Sequence, residues 1–205
     1  MIDLYYSSSP NVYKVMIGLE EMDLDYRLIF VDLSKGEQFL AEKLGGSVAA
    51  KVPVILDHEP AWGGESFTVI ESGAILEYLA EKTGKLIPSN NAARSEAKQW
   101  LFWQMANLGP IGGQFWHFHA FAEKIAPSTD FSYPRNRYSK MLLALWETME
   151  RRLESRLFLA GEYSIADVAC FPWVKYLLGS QETQDFPSLE KWKTAIAARP
   201  ATERA

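Results

Sequence analysis

The hydrophobic pattern of this chain changes period once, at Gly84, and that change limits its fold more than any other feature. Before the glycine, short strand-like runs alternate with amphipathic ones. Ile2, Leu4 and Tyr6 alternate with Asp3 and Tyr5, which is the two-residue period of a strand. Ser9 is a good N-cap, and Pro10 suits the first helical position, where a missing N–H costs nothing. Val12, Val15, Met16 and Leu19 then recur at helical spacing and predict a helix over 10–23. Residues 26–32 read as a second strand, 36–44 as a short helix and 52–57 as a third strand opened by Pro53. A Gly63-Gly64 turn leads to a fourth strand over 66–70, and a strong helix starts at Glu71-Ser72-Gly73 and ends at Gly84. Beyond residue 90 the pattern is helical throughout. A helix over 93–108 is expected to be interrupted by Gly109-Pro110 and loosened by Gly112-Gly113, and a second covers 135–159. Ser164-Ile165-Ala166-Asp167 has capping-box form, with Asp as the reciprocal partner, ahead of a very apolar helix over 168–178, and a helix over 187–198 closes the chain.

The element order βαβαββα is the layout of a thioredoxin-like α+β unit, here residues 1–84, followed by a linker over 85–92 and an all-helical unit over 93–205. Charge divides at the same place. Residues 1–84 carry 6 Lys+Arg against 14 Asp+Glu, whereas 85–205 carry 15 against 12 and six of the seven Trp.

Several classes of function are excluded at this stage. No apolar run reaches the ~18 residues of a membrane span, and Met1-Ile2-Asp3-Leu4 does not begin a secretory leader. A net charge of −5 argues against nucleic-acid binding, which needs clustered Lys and Arg. A single cysteine, Cys170, rules out an intrachain disulfide, a Cys-x-x-Cys pair and a zinc ribbon, and fits a reducing, cytoplasmic setting. Its apolar neighbours Val168, Ala169, Phe171 and Trp173 mark it as an inert core thiol. His117 and His119 lie two apart on a helix, about 200° round, and do not share a metal. No metal site is expected.

Three motifs admit both a structural and a chemical role. Glu71-Ser72 at a helix start serves as a cap, or receives a ligand that carries a carboxylate and an ammonium. Val52-Pro53 is a strand-opening proline, or a cis bond that presents the Val52 backbone to an extended peptide. Ser9 and Asn11 cap a helix, or stabilise a thiolate at its positive end. Tyr5 and Tyr6 are rivals for that last task; Tyr6 is expected to pack inward, which leaves Tyr5 as the second choice.

Lys51-Val52-Pro53, Glu71-Ser72-Gly73-Ala74-Ile75 and Ser164-Ile165-Ala166-Asp167, in this element order, resemble the cytosolic glutathione transferase superfamily. Ser9-Pro10-Asn11, Gly36-Glu37-Gln38-Phe39 and Trp103-Gln104 with Leu108-Gly109-Pro110 are most similar to its bacterial nu class, which is associated with glutathione-dependent disulfide reduction. The resemblance implies a thiol–disulfide oxidoreductase that uses the thiolate of bound glutathione, since the chain has no cysteine near the first helix. It implies that Glu71 and Ser72 hold the γ-glutamyl end, that Val52 beside Pro53 pairs with the cysteinyl backbone, and that Lys51 and Gln38 reach the glycyl carboxylate. Ser9 and Asn11 would be catalytic, while Gln104, Arg135 and Arg137 would serve a second glutathione or the substrate. A homodimer is implied as well. Conjugation of glutathione to an electrophile, and glutathione binding without catalysis, are the alternative readings.

Overall fold

Strand β1 (Ile2–Tyr6) is the centre around which the first unit is built. Its alternation sends Ile2 and Leu4 into the main core, with α1 (Pro10–Glu21) and α2 (Ser72–Thr83) packed over them. Tyr5 points to the other face, into a small cluster with Val31, Leu44 and Val54. β2 (Tyr26–Phe30) runs parallel to β1 on one side; β3 (Val54–Asp57) runs antiparallel on the other, and β4 (Phe67–Ile70) completes the order β2-β1-β3-β4. This mixed sheet with helices on it, followed by helices only, is a thioredoxin-like unit joined to an all-helical one. The structure is a computed structural model and describes residues 1–180 and 185–205.

Three expectations are corrected. The segment 36–44 is not one helix but short 3₁₀ turns, Glu37–Phe39 and Ala41–Leu44. The left-handed Gly36 and Gly45 at either end, and an extended Leu40 between, break it into pieces. Gly109-Pro110 does not stop the helix either. α3 (Asn91–Trp103) passes through a π turn, Gln104–Leu108, into α4 (Gly109–Trp116), and a second π turn, His117–Phe121, leads to α5 (Ala122–Ile125). The Gly109 N–H bonds back to the Gln104 carbonyl, and this wider turn makes room for a proline ring that an unbroken α-helix would exclude. Gly112 does not loosen the helix but lets it approach its neighbour, since a Cβ there would lie 2.7 Å from the Trp173 ring.

α6 (Ser132–Leu153), α7 (Ile165–Leu177), α8 (Pro187–Ala197) and a final turn α9 (Pro200–Arg204) follow. α7 is buried on nearly every side, so its polar start must be satisfied internally. Asp167 does this with four donors: the N–H groups of Leu159 and Ser164, the Ser164 hydroxyl and the Trp192 indole. Burial pushes its carboxyl up to about 6 in spite of them. Asp167→Asn keeps the shape but replaces an acceptor oxygen with an N–H₂ group that faces donors. It is expected to lower unfolding free energy by about 2–3 kcal/mol in urea titration; an unchanged midpoint would contradict the network.

Candidate functional site

Six pieces of chain meet around a cavity of about 450 Å³: the start of α1, the segment before β3, the end of β4 with the start of α2, the first π turn, α4, and α7 through Trp173. Asn11, Lys51, Val52, Pro53, Glu71, Ser72 and Gln104 all line it. Motif residues of the first unit, Ser9 and Gln38 aside, and seven residues of the second therefore converge on one space.

The local geometry of each piece suits a ligand. Ser9 caps α1 by accepting from the Asn11 N–H at 3.1 Å. The Asn11 side-chain oxygen accepts from the Trp173 indole at 3.3 Å, which leaves its N–H₂ group as the free end. The Val52–Pro53 peptide is cis, and β3 begins only at Val54, so residues 51–53 run outside the strand ladder. Glu71 stands at the N-cap of α2 with φ 64°, in the left-handed region. A carboxylate residue held there costs about 1–2 kcal/mol, and such strain collects at binding sites. Glu71 makes no capping bond and its side chain is exposed, so the capping role expected of this pair is not taken up. Ser72 is buried and donates weakly to the Met105 sulfur at 3.8 Å. Asn11 and Ser72 each lie in the first turn of a helix, so two positive helix ends face the same cavity.

A second cavity, of about 540 Å³, adjoins the first, because Gly113 and Trp173 line both. Ser9 and Pro10 are on its wall with Trp116, Phe121 and Tyr176. Ser9 thus lines the aromatic cavity, and Asn11 the polar one beside it.

Other expected residues are placed elsewhere. Gln38 sits in the Glu37–Phe39 turn and lines neither cavity. Arg135 is occupied by the Phe118 carbonyl and Glu123, and Arg137 is exposed on α6; neither lines either of these two cavities. Helical spacing located them on α6 but gave no information on which way that helix faces. Tyr5 is sealed between Val31, Leu44 and Val54, and burial pushes its phenol up, which removes it as a thiol partner. His119 bonds to the Phe115 carbonyl, and among the described residues no group of three His, Cys, Asp or Glu could hold a metal ion. Cys170 is fully buried, and burial pushes its thiol well above the ordinary range.

Sequence reasoning missed Lys14, Met105 and Trp173. Lys14 is fully buried on the α1 face that also carries Ile17 and Gly18, three and four residues on. That spacing was the available signal. Met105 lies against Gly73, where a Cβ would come within 2.8 Å of its Cγ. Trp173 was taken as core because its helix is so apolar.

Comparison with known proteins places these features in context. The family model described as the N-terminal domain of glutathione S-transferase matches residues 3–81, and that of the C-terminal domain matches residues 136–200. Disulfide-bond oxidoreductase YfcG of Escherichia coli is 45% identical over 207 residues, covering 100% of this chain and 94% of the relative. Disulfide-bond oxidoreductase YghU of the same organism is 31% identical over 218 residues, covering 99% and 73%. Among solved structures, a glutathione transferase from Burkholderia graminis with two glutathione molecules bound per subunit matches with TM-score 0.89 and 42% identity, covering 99% of this chain and 86% of that one. One from Pseudomonas putida, with one glutathione disulfide bound per subunit, matches with TM-score 0.89 and 37% identity, covering 99% and 89%.

The close contact at Gly73 gives a local test of the seam that forms the cavity. Gly73→Ala should cost about 1–3 kcal/mol in urea unfolding, because Met105 must move. Gly113→Ala, whose Cβ would meet only Trp173 at 3.8 Å, should be neutral or stabilising. Equal effects would contradict the packing described.

Proposed function

This chain belongs to the glutathione transferase family, and on that premise we propose that it is a glutathione-dependent thiol–disulfide oxidoreductase whose reacting thiol is that of bound glutathione. One observation carries the reading. Two helix starts, with Asn11 and Ser72, face a single cavity, while the only cysteine of the chain is buried in α7. The site is built to hold an anion and to have a thiol brought to it. The names of the related oxidoreductases and the glutathione or glutathione disulfide in the related crystals support the same conclusion.

In this reading Glu71 accepts from the ammonium of the γ-glutamyl group, and the Ser72 hydroxyl and N–H receive its carboxylate. The Val52 backbone pairs with the cysteinyl residue as an added strand would. Lys51, exposed at the rim, takes the glycyl carboxylate. Bound glutathione supplies the thiolate, which exchanges with a disulfide; a second glutathione resolves the mixed disulfide. The N–H₂ group of Asn11 and the hydroxyl of Ser9 stabilise negative charge on sulfur, and the start of α1 adds to their field. Gln104, expected to serve a second glutathione or the substrate, lines the same cavity as Val52, Glu71 and Ser72 and so faces the first glutathione in this reading. Gln38, Arg135 and Arg137 have no part in this scheme.

The aromatic cavity beside Ser9 favours a second reading, conjugation of glutathione to an apolar electrophile. Parallel assays with 2-hydroxyethyl disulfide and a chloronitrobenzene decide between them. Turnover of the disulfide with little conjugation is expected; conjugation alone would reverse the assignment, and tight binding without either turnover would make the protein a glutathione carrier.

We also infer a homodimer in the cytoplasm. Trp62, Phe67 and Phe102 are exposed aromatic residues, and the acidic first unit complements the basic second. Among the described residues no helix is long and apolar enough to cross a membrane. Sedimentation at micromolar concentration should give the dimer mass, and a monomer would contradict the inference.

Glu71→Ala and Ser72→Ala should each weaken glutathione binding by about 2 kcal/mol in isothermal titration, near the lower end for a charge pair because Glu71 is exposed. Asn11→Ala should lower disulfide turnover about 100-fold, since the Ser9 hydroxyl and the positive start of α1 remain. Wild-type binding in both of the first two variants would move the site elsewhere.

A further inference from the structure

Lys14 is a charged residue type sealed from solvent, and among the described residues no carboxylate is bonded to it. It has 0% exposure, and its Nζ donates to the Gln104 Oε1 at 2.7 Å and to the Met105 sulfur at 3.4 Å. Burial pushes its ammonium down to about 7. A methionine or leucine would fill the same volume without that cost. Structural economy therefore does not account for a lysine here.

Its partner explains what the lysine does. Gln104 is also fully buried and lines the polar cavity. One end of its amide is taken by Lys14; the other, Nε2, is buried and has no hydrogen-bond partner among the described residues. An unsatisfied buried amide N–H₂ costs about 1–3 kcal/mol. An amide free to rotate could present either end to the cavity. As an ammonium Lys14 can only donate, so it binds the oxygen and fixes the nitrogen as the end left over. Nε2 sits beside Gly109, where a Cβ would lie 3.0 Å from it, and Gly109 lines the same cavity, so the acceptor is sought on that side.

We propose that Lys14 is a positioning residue, which holds the Gln104 amide so that Nε2 donates to a carbonyl or carboxylate oxygen of the peptide bound in the cavity. The proposal rests on the glutathione-binding reading above and deepens it. The Lys14–Gln104 bond itself joins the two units, Lys14 in α1 and Gln104 in the π turn of the helical unit, and the ligand oxygen accepts from the far end of that amide. Met105, the next residue of the same π turn, contacts both Lys14 and Ser72, so the turn that aims Gln104 also touches the start of α2.

The experiment is isothermal titration of glutathione into the full-length protein and its variants, with thermal melting alongside. Binding by the unaltered protein tests the reading beneath the proposal, and its absence would remove both. With binding established, Lys14→Met should weaken it about tenfold while the melting temperature holds or rises, because a buried charge has gone. In a Gln104→Ala background, Lys14→Met should produce no further loss. Gln104→Glu gives an independent arm if Lys14→Met does not fold. It keeps an oxygen for Lys14, and so preserves a purely structural pairing, but replaces the donor facing the ligand with an acceptor. Its binding should fall at least about tenfold. Glutathione affinity within twofold of the unaltered protein in Gln104→Glu, or losses that multiply in the double variant, would overturn the proposal and leave the glutathione reading standing.

Discussion

The seam between α1 and α7 is the constraint on which the rest of this molecule depends. α7 is buried on nearly every side, and α1 lies against it with Val12, Val15 and Leu19 in the same core. The site follows from that contact, because the first residues of α1 are then held against the helical unit by specific bonds. Trp173 reaches Asn11 across the seam, Lys14 reaches Gln104, and Met105 rests on Gly73 at the start of α2. Asp167 keeps α7 in place by closing its N-terminus and tying it to Leu159 and to Trp192 of α8.

Much of the fold was legible in the sequence because its signals were local. Alternation at Ile2–Tyr6, the proline at the first position of α1 and the capping box at Ser164 each act within a few residues, and the structure has the corresponding elements. The misreadings share a cause, which is that longer-range packing decided the outcome. Apolar spacing over 36–44 resembled a helix, but left-handed glycines at its ends and the sealing of Leu44 beneath Tyr5 divided it into turns. Gly109-Pro110 carried a correct local signal for a break, and the π turn absorbed it without ending the helix.

The site divides in the same way. Asn11, Lys51, Val52, Pro53, Glu71, Ser72 and Gln104 lie together around one cavity. Arg135 and Arg137 do not, because spacing on a helix specifies a face but not the neighbour that covers it. Lys14 escaped notice because lysine is expected in water, although Ile17 and Gly18 place it on an apolar ridge. Trp173 was hidden for the opposite reason, since an indole among apolar residues reads as core, whereas its N–H fixes the amide of Asn11.

The central claim is that the reacting sulfur arrives with the ligand. A thiolate at Cys170 would have to form in a fully buried, apolar place, where burial already pushes the thiol well above its ordinary range. The start of α1, by contrast, offers a positive helix end and a free amide N–H₂. Steady-state reduction of 2-hydroxyethyl disulfide by glutathione with the cysteine-free variant Cys170→Ala tests this most directly. The account predicts turnover equal to that of the unaltered protein; a folded Cys170→Ala protein that no longer reduces the disulfide would contradict it.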